Sequence, residues 1–296
     1  MRASRAILGG LAVALTAEAG DAQPMPFGAL TARPYPAPDA EVAYAGLPVQ
    51  VGDLFVPSGG GPHPVVVLLH GGCWRAEYDR MYLRHLAGAL RDDGVAVWLP
   101  EYRRLGESGG GWPGTFRDVG AAVDHLRVLA PTHRFDLRRV AVAGHSAGGH
   151  LALWVGARQT LLPSGDLAMP DPLPVRGIVG LAAITDLATY AARTGCGASV
   201  PLLLGGAPAE VPARVAMASP VALGGSAVPT WLVTGTRDPI VPAAQGDALV
   251  AAQPRRAIAV RPVEGAGHFE LVAPWTTAWP VVRHAVREAL GLPVAP

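Results

Sequence analysis

The stretch Val140-Ala141-Val142-Ala143-Gly144-His145-Ser146-Ala147-Gly148-Gly149-His150 constrains this chain more than any other. Four small or β-branched apolar residues read as a buried strand. Gly-x-Ser-x-Gly follows at once, and Leu151-Ala152-Leu153-Trp154-Val155 continues as an apolar segment suited to a helix. A chain that turns sharply from strand to helix through a serine brings backbone so close on both sides that a Cβ cannot be accommodated, hence the glycines at 144 and 148. The turn lifts Ser146 out of the sheet as a candidate nucleophile. In a chain with 37 glycines the same pattern also arises as a plain turn closing a strand, so the remaining sequence has to decide.

The remaining sequence alternates strands with helices. Val49–Val56 alternates apolar with polar or small residues, as an antiparallel strand near a sheet edge does. Pro64–Leu69 is apolar throughout, the pattern of a central strand buried on both faces. Met81, Leu83, Leu86 and Leu90 space a helix over Glu77–Leu90, followed by a strand at Val95–Pro100. Phe116, Val119, Val123, Leu126 and Leu129 space another helix, which Pro131 is expected to end. Further strands are expected at Val175–Ile184, Pro229–Thr234 and Ala257–Val263, with helices at 242–252 and 275–290. Such a series predicts an α/β fold with a mostly parallel, doubly wound sheet in one domain over 48–296. The interval 185–228 is too long for an ordinary connection and lies after a central strand, where such sheets bind ligands; it predicts a small helical cap.

A serine hydroxyl needs a base, and the base needs an orienting acid. Asp238 follows one expected strand in Thr234-Gly235-Thr236-Arg237-Asp238-Pro239, and His268 follows the next in Glu264-Gly265-Ala266-Gly267-His268-Phe269. The chain order Ser146, Asp238, His268 is that of an α/β-hydrolase triad. Asp186 also follows a strand and is the rival acid; Glu264 precedes its turn and is a weaker one. His70-Gly71-Gly72-Cys73-Trp74 ends the central strand, where paired glycines expose main-chain N–H groups. Donors at Gly72 and Cys73, joined by Ala147, would stabilise an oxyanion, each worth about 3 kcal/mol.

With these motifs in place, the chain resembles the esterase and arylformamidase group of the α/β-hydrolase superfamily, kynurenine formamidase-like and BD-FAE-like, whose members carry His-Gly-Gly-x-Trp. The resemblance runs from about 48 to 291 through His70–Trp74, Gly109–Pro113, Gly144–Gly148, Leu204–Gly206 and the Asp238 and His268 loops. It implies that the second glycine and the residue after it supply the oxyanion donors. The x position is Cys73 here, where many relatives have an aromatic residue, so substrate size is set differently. The implied activity is cleavage of a small carboxylic ester through an acyl-enzyme, with no cofactor and a small-molecule ester as partner. An aryl formamide such as N-formylkynurenine is the nearest alternative substrate, and a non-catalytic binding protein on the same fold the alternative from another class.

Other residues have plainer readings. His70 is expected to fix its loop, and His145 and His150 to pack or bond locally. Trp74 and His145 are the candidate pocket residues, with Trp112 a further one. Cys73 and Cys196 bridge if the cap folds over the oxyanion loop in an exported protein; two free thiols would fit a cytoplasmic one. No metal-ligand spacing and no phosphate-binding motif appears. All 24 basic residues are Arg, and the absence of Asn excludes N-glycosylation. A net charge of +1 gives no reason to expect nucleic acid as partner. Arg2 and Arg5 before an apolar Ala6–Ala17, with small residues near 17–22, read as a signal peptide over 1–22, too short to anchor in a bilayer. Residues 23–47 read as an extended, Pro-rich lead-in.

Overall fold

A computed structural model describes residues 23–158, 165–224 and 226–294; the signal-peptide reading of 1–22 lies outside them. Eight strands form one sheet: β1 (Ala40–Ala43), β2 (Val51–Phe55), β3 (His63–Leu69), β4 (Ala96–Pro100), β5 (Phe135–His145), β6 (Gly177–Leu181), β7 (Thr230–Gly235) and β8 (Ile258–Val263). Their order is β1-β2-β4-β3-β5-β6-β7-β8. From β4 to β8 every pairing is parallel, whereas β1 and β2 add antiparallel at one edge. Parallel strands need helical crossovers that cover both faces, and the sequence obeys this: every residue of β3, β4 and β6 is buried.

The covering helices are α2 (Arg84–Asp92), against β4; α5 (Ala147–Ala157), against β5 and β6; and α10 (Trp279–Ala289), against β6 and β7. α3 (Gly114–Asp124) packs on α5, and α9 (Ala244–Ala252) connects β7 to β8. Between β6 and β7 lie three short helices, α6 (Leu187–Tyr190), α7 (Ser199–Leu204) and α8 (Pro212–Ala218), with a 3₁₀ turn at Gly195–Ala198.

Three expectations need correction. The helix over Glu77–Leu90 begins only as a 3₁₀ turn at Arg80–Leu83 before α2; Tyr82, four residues before Leu86, lies on the buried face, and Met81, which the expected stripe included, is exposed. The helix over 116–129 is two, α3 and α4 (Leu126–His133), and Pro131 lies inside α4, which ends on left-handed Arg134. The lead-in is not simply extended: it contains α1 (Phe27–Thr31), and β1 completes the sheet edge.

Candidate active site

Ser146 stands between β5 and α5 with φ +58° and ψ −119°. For a residue with a Cβ this costs of order 1–3 kcal/mol, tolerated where the surroundings over-determine it. Here Ser146 N–H donates to the Leu181 carbonyl of β6 at 2.8 Å, and His150 N–H to the Ser146 carbonyl at 3.1 Å. A Cβ on Gly144 would strike the carbonyl of Gly148, and one on Gly148 the carbonyls of Leu69 and His70. The first turn of α5 therefore lies directly on the ends of β3 and β5, and only glycine permits it.

Asp238 and His268 come from the loops after β7 and β8, held together by Arg237 N–H donating to the Ala266 carbonyl at 2.9 Å. His268 Nδ1 donates to Asp238 Oδ2 at 2.6 Å, with both side chains buried. The other carboxylate oxygen, Oδ1, accepts from the N–H groups of Ile240 at 2.8 Å and Val241 at 2.9 Å. Asp238 is thus anchored on one oxygen and grips the imidazole with the other, which leaves His268 Nε2 as the nitrogen free to take a proton.

The His70–Trp74 loop is fixed from behind. His70 is fully buried, its Nε2 2.6 Å from Glu101 Oε1 and its Nδ1 2.9 Å from the Gly71 carbonyl. Its ring stacks on Tyr102 at 4.3 Å, and the Tyr102 hydroxyl donates to the His70 carbonyl at 2.8 Å. Burial alone raises the Glu101 carboxyl, but His70 and Arg104 beside it hold it below the usual carboxylate range. Gly72, Cys73 and Trp74 all have left-handed φ angles. Gly71 N–H is taken by the Tyr82 hydroxyl at 2.7 Å, whereas the N–H groups of Gly72, Cys73 and Ala147 have no acceptor among the described residues. The loop also lies against the elbow: a Cβ on Gly71 would sit 2.9 Å from Ser146 Cβ.

These parts open on one cavity of about 480 Å³, lined by Ser146, His268, Gly72 and Cys73, a volume suited to a small ligand. Cys73 is disulfide-bonded to Cys196 in the 3₁₀ turn after α6, with Cα atoms 5.1 Å apart. His145 lines the cavity, whereas Trp74 is fully buried, edge-on to His150, and is not among the lining residues. Trp112 is not among them either and donates from Nε1 to Asp166 at 2.9 Å. His150 donates to the Ala218 carbonyl at 3.0 Å, and burial pushes it down to about 4. Asp186 caps α6 through the N–H groups of Ala188 and Thr189, and Glu264 accepts from the Thr236 hydroxyl; neither bonds to His268. Among the described residues no cluster of His, Cys, Asp or Glu is arranged to hold a metal.

Sequence reasoning missed Phe27, Tyr82 and Ser199, all of which line the cavity. Phe27 comes from the lead-in and packs on Tyr78, Tyr82 and Phe269 with centroids 5.2–5.7 Å apart. Ser199 is fully buried and its hydroxyl has no partner among the described residues. The only sequence signal for these residues was their type: Phe27 an aromatic in a Pro-rich run, Tyr82 an aromatic in an expected helix and Ser199 a serine in an apolar helix.

A mostly parallel sheet, a strand–serine–helix elbow and an acid–histidine pair on later strand ends define an α/β-hydrolase fold. Within that class the chain belongs to the BD-FAE family, whose profile matches residues 53–252. Among solved structures it is similar to a bifunctional GH43-CE protein of Bacteroides eggerthii (TM-score 0.69, 25% identity) over 84% of this chain and 37% of that one, so it spans about 37% of that protein's length. It is also similar to a truncated carbohydrate esterase from gut microbiota (TM-score 0.72, 21% identity), covering 87% of this chain and 97% of that one. Esterase B of Lactobacillus rhamnosis (TM-score 0.71, 21% identity) is matched over 89% of each chain. No curated protein matches the sequence.

Proposed function

We propose that this protein is a serine hydrolase that cleaves small carboxylic esters by acyl transfer. Membership of the BD-FAE family and the esterases among its fold neighbours support an ester as the bond attacked. The observation that carries the mechanism is the 2.6 Å bond from His268 Nδ1 to buried Asp238, on the same cavity as Ser146. Ser146 attacks the carbonyl while His268 Nε2 takes its proton; the imidazolium then protonates the leaving alcohol, and the same nitrogen later activates water to release the acid. Asp238 holds the tautomer and stabilises the cation. The N–H groups of Gly72, Cys73 and Ala147, which have no acceptor among the described residues, receive the negative oxygen, and because they are fixed beforehand no reorganisation opposes them.

The Cys73–Cys196 bridge supports an oxidising location such as a periplasm or the medium, in keeping with the signal-peptide reading. No helix among the described residues is long and apolar enough to cross a membrane. A panel of aryl acetates, longer acyl esters and N-formylkynurenine, assayed with Ser146→Ala as control, tests the proposal. Turnover of short esters that falls by about 10⁶ in the variant is expected. Turnover confined to the formamide, or retained by the variant, would overturn it.

A further inference from the structure

His145 is the last residue of β5, one position before Ser146, and both its ring nitrogens belong to a buried hydrogen-bonded chain. The chain starts at Gly71, whose N–H donates to the Tyr82 hydroxyl oxygen at 2.7 Å. With that N–H donating to its oxygen, the hydroxyl turns its own proton to His145 Nδ1, 2.9 Å away. A ring that accepts at Nδ1 carries its proton on Nε2. That Nε2–H donates to the main-chain carbonyl of His268 at 3.1 Å. The two imidazoles pack with centroids 4.4 Å apart. One directional series of bonds therefore joins the loop after β3, the elbow and the loop after β8.

We propose that His145 is a positioning residue: its Nε2–H, oriented by Tyr82, holds the His268 loop in register with the Gly71–Cys73 loop, so that base, nucleophile and oxyanion donors align as one unit. The proposal rests on the serine-hydrolase reading of the same site. The anchored atom is the carbonyl of His268, so the bond sets where the backbone of the base stands, while Asp238 sets how its ring is turned. The surroundings keep the relay neutral. Burial, with His268 alongside, holds His145 well below the ordinary histidine range, and burial raises the Tyr82 phenol. A neutral His145 is required, because a second cation packed on His268 would oppose the imidazolium that forms during attack.

The test compares Tyr82→Phe, His145→Gln and His145→Leu with the unaltered protein, reading kcat and KM on an aryl acetate and the melting temperature of each. A glutamine amide retains an N–H donor for the His268 carbonyl; leucine retains none. The expected result is that His145→Leu lowers kcat by about 10²-fold with KM within about twofold. Tyr82→Phe, the milder change, lowers kcat by about tenfold, and His145→Gln recovers at least about tenfold of the leucine loss. Leucine and phenylalanine variants that melt lower but turn over normally would overturn the proposal, since His145 would then serve folding alone. A glutamine variant no better than leucine would also overturn it. An unaltered protein without esterase activity would remove the serine-hydrolase reading and the positioning role with it, whereas an active protein indifferent to the leucine change removes only the latter.

Discussion

Cys73 and Cys196 stand 123 residues apart in sequence and are covalently joined, with Cα atoms 5.1 Å apart. One belongs to the loop that carries the candidate oxyanion donors, the other to the segment between β6 and β7 that overhangs the cavity. The bridge makes these two walls a single piece.

Removing the bridge should therefore lower stability and loosen the cavity together. A closed loop of this length constrains the unfolded chain by about 5 kcal/mol in the chain-entropy account. The Cys73→Ser, Cys196→Ser double variant should lose stability of that order in denaturant unfolding, and its KM for short esters should rise. A double variant as stable as the unaltered protein would show that the bridge constrains nothing the fold does not already hold.

Stability should fall in mild acid. Burial pushes His150 down to about 4, while in the unfolded chain a histidine titrates near 6.5. Below that value the unfolded state binds the proton and the folded state does not, so stability is fully present above about pH 6.5 and is lost as pH falls towards 4. For His150 alone the loss amounts to about 3 kcal/mol, and His145, lowered in the same direction by burial, adds to it. Melting temperatures between pH 4 and 8 check this, and His150→Gln should flatten the acid side. An unchanged acid slope in that variant would count against the assignment.

Asp238 and its rival Asp186 separate cleanly. Asp238→Asn should lower kcat by about 10⁴ by favouring the wrong tautomer of His268. Asp186→Ala should leave kcat unaltered and lower stability by about 1 kcal/mol through the lost cap of α6. Steady-state kinetics with thermal melts on both variants would reveal a reversed assignment at once.

Much of this was legible in the sequence because parallel sheets leave a strong mark. Strands buried on both faces read as unbroken apolar runs, and His70 after β3, Ser146 after β5 and Asp238 after β7 each follow such a run; His268 follows β8, an edge strand that is only partly buried and is interrupted by Arg261, and was marked by its glycine-flanked turn. What escaped depends on contacts between distant segments. Phe27 lies in a Pro-rich stretch without periodicity and gains meaning only by packing on Tyr78, Tyr82 and Phe269. Tyr82 lies four residues before Leu86 on the buried face, where an aromatic ring reads as plain packing, and nothing local pairs its hydroxyl with His145 across 63 residues. Trp74 looked like a pocket residue because it follows the glycine pair, but its left-handed backbone and its packing on His150 take it into the core.

Ser146 is proposed to be a nucleophile activated by His268. A fluorophosphonate probe reacts covalently with such a serine, and mass spectrometry of the labelled protein locates the adduct. One equivalent of label is expected on the peptide containing Ser146, abolished in Ser146→Ala and strongly slowed in His268→Ala. A native, folded protein that takes up no label, or carries it on another residue, would contradict it.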